Sequence, residues 1–155
     1  MWTRHLANAN ETQNLGRLFG VAAERGTVVA LVGDLGAGKT TFAQGVGEGL
    51  SVLSPIVSPT FILMSEYDDG RIPLLHGDTY RLEQGELEGI GIEELVEDWP
   101  GVVLLEWADR FPELLPEDHL VLSLQHKEDG RTATITATGP KHETLLARIM
   151  ELADE

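Results

Sequence analysis

Eight consecutive residues constrain this chain more than any others. Gly33-Asp34-Leu35-Gly36-Ala37-Gly38-Lys39-Thr40 fills every fixed position of G-x-x-x-x-G-K-[ST]. Glycines at these points let the backbone curl until successive N–H groups aim at phosphate oxygens. A helix beginning there turns its positive end toward the same anion. Lys39 is placed to bridge terminal phosphates, the Thr40 hydroxyl to ligate Mg²⁺, and Thr41 to bond a nearer phosphate. Residues 27–32, almost wholly apolar, read as a strand buried on both faces leading into the loop. The helix after it is expected over about residues 39–50, weakened in its last half by Gly45, Gly47 and Gly49.

The rest of the chain fits one α/β domain spanning 1–155, with no internal repeat and no linker. Leu15, Leu18, Phe19 and Ala22 make an apolar stripe predicting a helix over residues 11–24, with Asn10 as N-cap and Gly26 beyond its end. Two hairpins are expected, 60–67 with 72–75 across Asp68-Asp69-Gly70, and 120–125 with 132–138 across Glu128-Asp129-Gly130. A short helix at 93–98, a buried strand at 102–105 and a terminal amphipathic helix at 141–153 complete the pattern. Hairpins mixed with buried strands predict a single-domain P-loop NTPase fold, its mixed parallel/antiparallel sheet flanked by helices.

Charge narrows the partners. Eleven basic residues face 26 acidic ones, for a formal charge of −15, and the only lysines are Lys39, Lys127 and Lys141. A protein that grips a nucleic-acid backbone needs a basic face, so RNA is expected only indirectly, through a protein partner. The same field repels ATP at long range, leaving affinity to backbone donors, Lys39 and Mg²⁺. No apolar run reaches the roughly 18 residues of a membrane span. The first residues lack a signal-peptide layout and there are no cysteines, so a soluble cytoplasmic protein with no membrane partner is expected. All three asparagines (Asn8, Asn10, Asn14) precede the loop. A guanine-reading Asn-Lys-x-Asp motif is therefore excluded, which favours ATP.

Val102-Val103-Leu104-Leu105-Glu106 places a carboxylate at a strand end, and Glu106 is the natural metal-side acid, directly or through water. Asp78 is the second acid, either orienting an attacking water, binding a magnesium water, or forming a turn beside Gly77. His76 reads as a packed, hydrogen-bonded histidine. Arg81 either meets phosphate charge or makes a surface ion pair, and Thr60 is a candidate γ-phosphate sensor.

Taken together, the phosphate loop through Thr41, Ser58-Pro59-Thr60-Phe61, His76-x-Asp78-x-Tyr80-Arg81 and Leu104-Leu105-Glu106-Trp107 resemble one family. It is the bacterial ATPase family TsaE, also called YjeE, which takes part in making threonylcarbamoyladenosine on tRNA. The resemblance implies Mg-ATP binding and weak ATPase activity, expressed mainly with the two-protein threonylcarbamoyl transferase complex. It further implies that Lys39, Asp78, Glu106 and Trp107 matter for activity, with Thr40 and Glu106 on the metal. Adenine-side contacts would fall near residues 10–12, Thr12 among them, and at Arg131. Thr79 stands where the family often has an aliphatic residue. Two other readings compete: a small-molecule P-loop kinase, and a nucleotide-dependent scaffold without useful hydrolysis. The kinase is disfavoured because only Arg71 and Arg81 supply positive charge between Lys39 and Glu106.

Overall fold

The computed structural model describes residues 1–34, 38–56, 64–79, 91–107 and 112–154. In chain order the elements are β1 (Trp2–Leu6), α1 (Ala9–Ala22), β2 (Val28–Gly33), α2 (Lys39–Gly49), β3 (Met64–Tyr67), β4 (Leu74–Asp78) and α3 (Ile92–Asp98). They continue with β5 (Val102–Glu106), a 3₁₀ turn (Pro112–Leu114), β6 (Leu120–Lys127), β7 (Gly130–Ala137) and α4 (Pro140–Ala153). Among the described residues, seven strands form one sheet in the order β1-β7-β6-β2-β5-β4-β3. The four central strands β6, β2, β5 and β4 are parallel, while β7, β1 and β3 add antiparallel pairs at the flanks. The mixed sheet expected from the two hairpins is therefore present.

Alternation along the central strands divides the core into two layers. Val29, Leu31, Leu104 and Leu122 face α1, α2 and α4, packing with Leu15, Phe19, Phe42 and Ile149. Val28, Ala30, Val103 and Leu105 face the other way, against Ile92 and Val96 of α3 and Leu114. Both faces of β2 and β5 are thus covered, which is why their sequences read as continuous apolar runs.

Strand β1 was not expected, and the cap of α1 differs from expectation. The N-cap of α1 is Asn8, whose side chain accepts from the Glu11 N–H at 3.0 Å, and Asn10 lies inside the first turn. Helix α2 runs through Gly49 as expected, and its glycines do not interrupt it. Gly45 and Gly49 face α1, while Gly47 lies against Ile56 and Val52. A Cβ on Gly45 would lie 2.0 Å from the Gln13 carbonyl oxygen, and one on Gly49 2.2 Å from that of Arg17. In return, Cβ atoms on Gly16 and Gly20 of α1 would strike the Phe42 and Val46 carbonyls. Close helix approach, absent from any local propensity, offsets what the glycines cost in helix stability. Gly45→Ala should therefore destabilise by about 1–3 kcal/mol in urea unfolding, although alanine is the better helix former.

At the opposite end of β2, α4 is pinned from outside itself. Asp118 accepts from the N–H groups of Lys141 (2.8 Å) and His142 (3.0 Å), capping a helix whose own N-cap is Gly139. The His142 Nε2 accepts from the Val28 N–H at 3.0 Å, so its proton resides on Nδ1 and is donated to Asp118 at 2.8 Å. Burial, with smaller contributions from Lys141 and His119, pushes the His142 pKa down against the opposing pull of Asp118. For Asp118 burial pushes up, but the bonds from His142 and Lys141 outweigh it and lower its pKa. The unfolded chain takes up a proton at His142 below about pH 6.5 that the folded protein resists. Stability therefore falls as pH drops below that value toward the folded pKa. The urea midpoint should decline from pH 7 to 5.5, and His142→Gln should remove that part of the slope.

Candidate functional site

Strand β2 delivers its chain to the C-terminal edge of the parallel strands, where open α/β sheets carry ligands. Gly33 ends the strand at φ +132°, and any Cβ there would sit 2.0 Å from the Leu124 carbonyl oxygen. Gly38, at φ +106°, starts α2 without a side-chain cap. Both glycines hold backbone conformations that other residues rarely adopt. The uncapped helix start directs its positive end into the loop. Leu35, Gly36 and Ala37 lie outside the described residues. Asp34 is exposed, and its carboxylate accepts from the His126 N–H at 3.0 Å, tying the loop to β6. It is the main chain of Asp34 that faces the lysine.

Lys39 is only 6% exposed. Its Nζ donates to the Asp34 carbonyl at 2.9 Å, has the Gly33 carbonyl at 3.5 Å, and lies 4.0 Å from the centroid of the Trp107 ring. A buried ammonium needs such company, since burying an uncompensated charge is costly. Thr40 and Thr41 follow on the first turn of α2, both half-buried.

Parallel register brings the acids to the same edge. Leu31 of β2 is level with Glu106 of β5, and Glu106 with Asp78 of β4. Glu106 is almost wholly buried, with its Oε2 2.7 Å from His76 Nε2. His76 is itself fully buried, and its Nδ1 has no partner among the described residues. A proton on Nε2 satisfies the Glu106 carboxylate and leaves a lone pair at Nδ1, the cheaper group to leave unpaired. His76 is thus the packed, hydrogen-bonded histidine expected, and its partner is the candidate metal-side acid. Past Glu106 the chain turns sharply, with Trp107 at φ +62°. A non-glycine residue in this left-handed region costs on the order of 1–3 kcal/mol and persists only where the surroundings enforce it.

On the far side of α2's first turn lies a cleft of about 200 Å³ between the start of α1 and the β6–β7 hairpin. Thr12 and Arg131, the expected adenine-side residues, both line it, together with Gly38 and Thr41 of the loop and helix. Asn8 and Gly130 also line it and were not anticipated. The Asp129-Gly130 turn signals Gly130 alone, and nothing in the sequence singles out Asn8. A larger cavity of about 440 Å³ sits by Trp99 and His142 at the opposite ends of β2 and β5, and no described motif residue lines it. Thr60, Tyr80 and Arg81 lie outside the described residues.

Among the described residues, no cluster of three His, Cys, Asp or Glu side chains forms a metal cage. Thr40 in the first turn of α2 and Glu106 at the end of β5 instead carry hard oxygens. Such a sparse set suits Mg²⁺, which is ordinarily held by one or two protein oxygens plus phosphates and water.

The family model described as "Threonylcarbamoyl adenosine biosynthesis protein TsaE" matches residues 6–134. The chain belongs to the TsaE family. The match runs from Leu6 past Arg131 and so takes in both walls of the cleft, the loop and the acids. A relative from Nostoc sp., called tRNA threonylcarbamoyladenosine biosynthesis protein TsaE, is 48% identical over 84% of this chain and 83% of its own. Another so called, from Bacillus subtilis, is 42% identical over 89% of this chain and 87% of its own. The crystal structure of Bacillus subtilis YdiB superposes with a TM-score of 0.82 at 34% identity, covering 98% of this chain and 95% of that one. The expected P-loop fold on a mixed sheet is that of the TsaE family. No helix among the described residues is long and apolar enough to cross a membrane.

Replacing His76 by leucine removes the hydrogen bond that a buried carboxylate receives. His76→Leu should lower stability by about 1.5–3 kcal/mol in urea titration. His76→Gln, which keeps an N–H donor, should lose less.

Proposed function

We propose that this TsaE-family protein binds Mg-ATP at residues 33–41 and hydrolyses it weakly in the cytoplasm. In this role it assists threonylcarbamoyl transfer to tRNA adenosine through a two-protein transferase complex. The observation that carries the reading is the convergence of Lys39, Glu106 and Asp78 at one sheet edge, with the Thr12–Arg131 cleft opening beside Gly38 and Thr41. Backbone N–H groups of the loop and the start of α2 cradle the phosphates. Lys39 swings from its carbonyl partners to bridge the terminal ones. Thr12 and Arg131 border the adenine, with Asn8 on the same wall. Thr40 and Glu106 hold the metal, His76 fixes the Glu106 carboxylate, and Asp78 or Glu106 orients the attacking water. Mg²⁺, when bound, neutralises charge developing on the phosphate oxygens. The formal charge of −15 supports a protein that reaches tRNA only through its partners.

Phosphate release from Mg-ATP, with and without the purified transferase pair, tests this reading. Strong stimulation by the pair should vanish in Lys39→Ala. Glu106→Gln should still bind nucleotide but turn over ~10²–10⁴-fold more slowly. Turnover indifferent to both the pair and Lys39→Ala would overturn it.

A further inference from the structure

We propose that Thr79 is a positioning residue whose hydroxyl clamps the left-handed turn at Trp107, so that the indole seats the Lys39 ammonium before nucleotide arrives. Thr79 follows β4 directly and is 1% exposed. Its Oγ1 lies 3.0 Å from the Glu106 carbonyl oxygen and 2.9 Å from that of Trp107, a single hydroxyl proton shared between two acceptors. Its own N–H donates to the Glu106 carbonyl at 3.1 Å. From the opposite side, the Trp107 N–H donates to Leu31 of β2 at 2.8 Å. The Glu106–Trp107 main chain is therefore gripped by both neighbouring strands just where the backbone takes φ +62°.

That conformation has a use. It carries the indole face to 4.0 Å from Lys39 Nζ, well inside the ~6 Å reach of a cation–π contact. The same ammonium is turned back on the Asp34 carbonyl of its own loop. Lys39 is thus held at the phosphate loop in a compensated, largely dry position, and incoming phosphate oxygens compete with the ring and the carbonyl for it. Valine matches threonine in shape but donates nothing to the two carbonyls, so the turn and the ring would lose their restraint. The seat exists without nucleotide; only its release rests on the ATP-binding reading.

The chain's three lysines make the test direct. In protein labelled with ¹³C at lysine Cε, the ring current of Trp107 should move the Hε resonance of Lys39 upfield. Lys127→Arg and Lys141→Arg identify the other two signals. The displacement should disappear in Trp107→Leu, persist in Trp107→Phe, shrink in Thr79→Val and return in Thr79→Ser. A non-hydrolysable Mg-ATP analogue should bring the signal back downfield. Three lysines with ordinary shifts in the free protein, or a Thr79→Val spectrum identical to the parent in a folded variant, would overturn the proposal. A displaced, Thr79-dependent signal that no nucleotide moves would support the clamp while counting against the ATP-binding reading.

Discussion

Lys39 is an almost wholly buried residue, and a charge carried on it must find compensation within a few ångströms. It finds two main-chain carbonyls at the end of β2 and one aromatic face at the end of β5. Each provision depends on something further. The carbonyls converge because Gly33 takes a backbone shape closed to other residues, and the ring arrives through a left-handed turn at Trp107. That turn holds because Leu31 and Thr79 bond the main chain from both sides.

Around this centre the scaffold acts mainly through placement. Parallel register sets Leu31, Glu106 and Asp78 level across three strands, so the acids arrive at the edge where the loop begins. Helix α2 has to start at a defined point, and its close contact with α1, through glycines on both helices, fixes where it lies. The same contact positions the first turn of α1 beside the phosphate loop. Thr12 therefore shares a cleft with Gly38 and Thr41, and the β6–β7 hairpin closes that cleft with Arg131. A glycine pattern in two helices thus reaches the proposed nucleotide site without touching it.

Much of this was legible from residue order. The phosphate loop, the buried strands and both hairpin turns follow from local chemistry and periodicity. Some features were not, for identifiable reasons. Strand β1 was missed because it is an edge strand whose only fully buried side chain is Leu6. Asn8 and Asn10 are equally good capping residues, and only the geometry of the first turn separates them. Gly45 and Gly49 of α2 looked like a weakness because propensity is local, while the helix they face is some thirty residues upstream. His76 and Thr79 act on residues 30 and 27 positions away, which no spacing rule anticipates. The candidate adenine-side residues came from family likeness, and their shared cleft appears only once α1 and β7 are packed on either side of the loop.

The most direct measurement is a crystal structure with Mg²⁺ and a non-hydrolysable ATP analogue. The account predicts the triphosphate on residues 33–41, the metal between Thr40 and Glu106, Lys39 moved from Trp107 onto the terminal phosphates, and adenine in the cleft bordered by Thr12 and Arg131. A base bound elsewhere, or an analogue that leaves Lys39 on its own carbonyls and the cleft empty at saturating concentration, would contradict it.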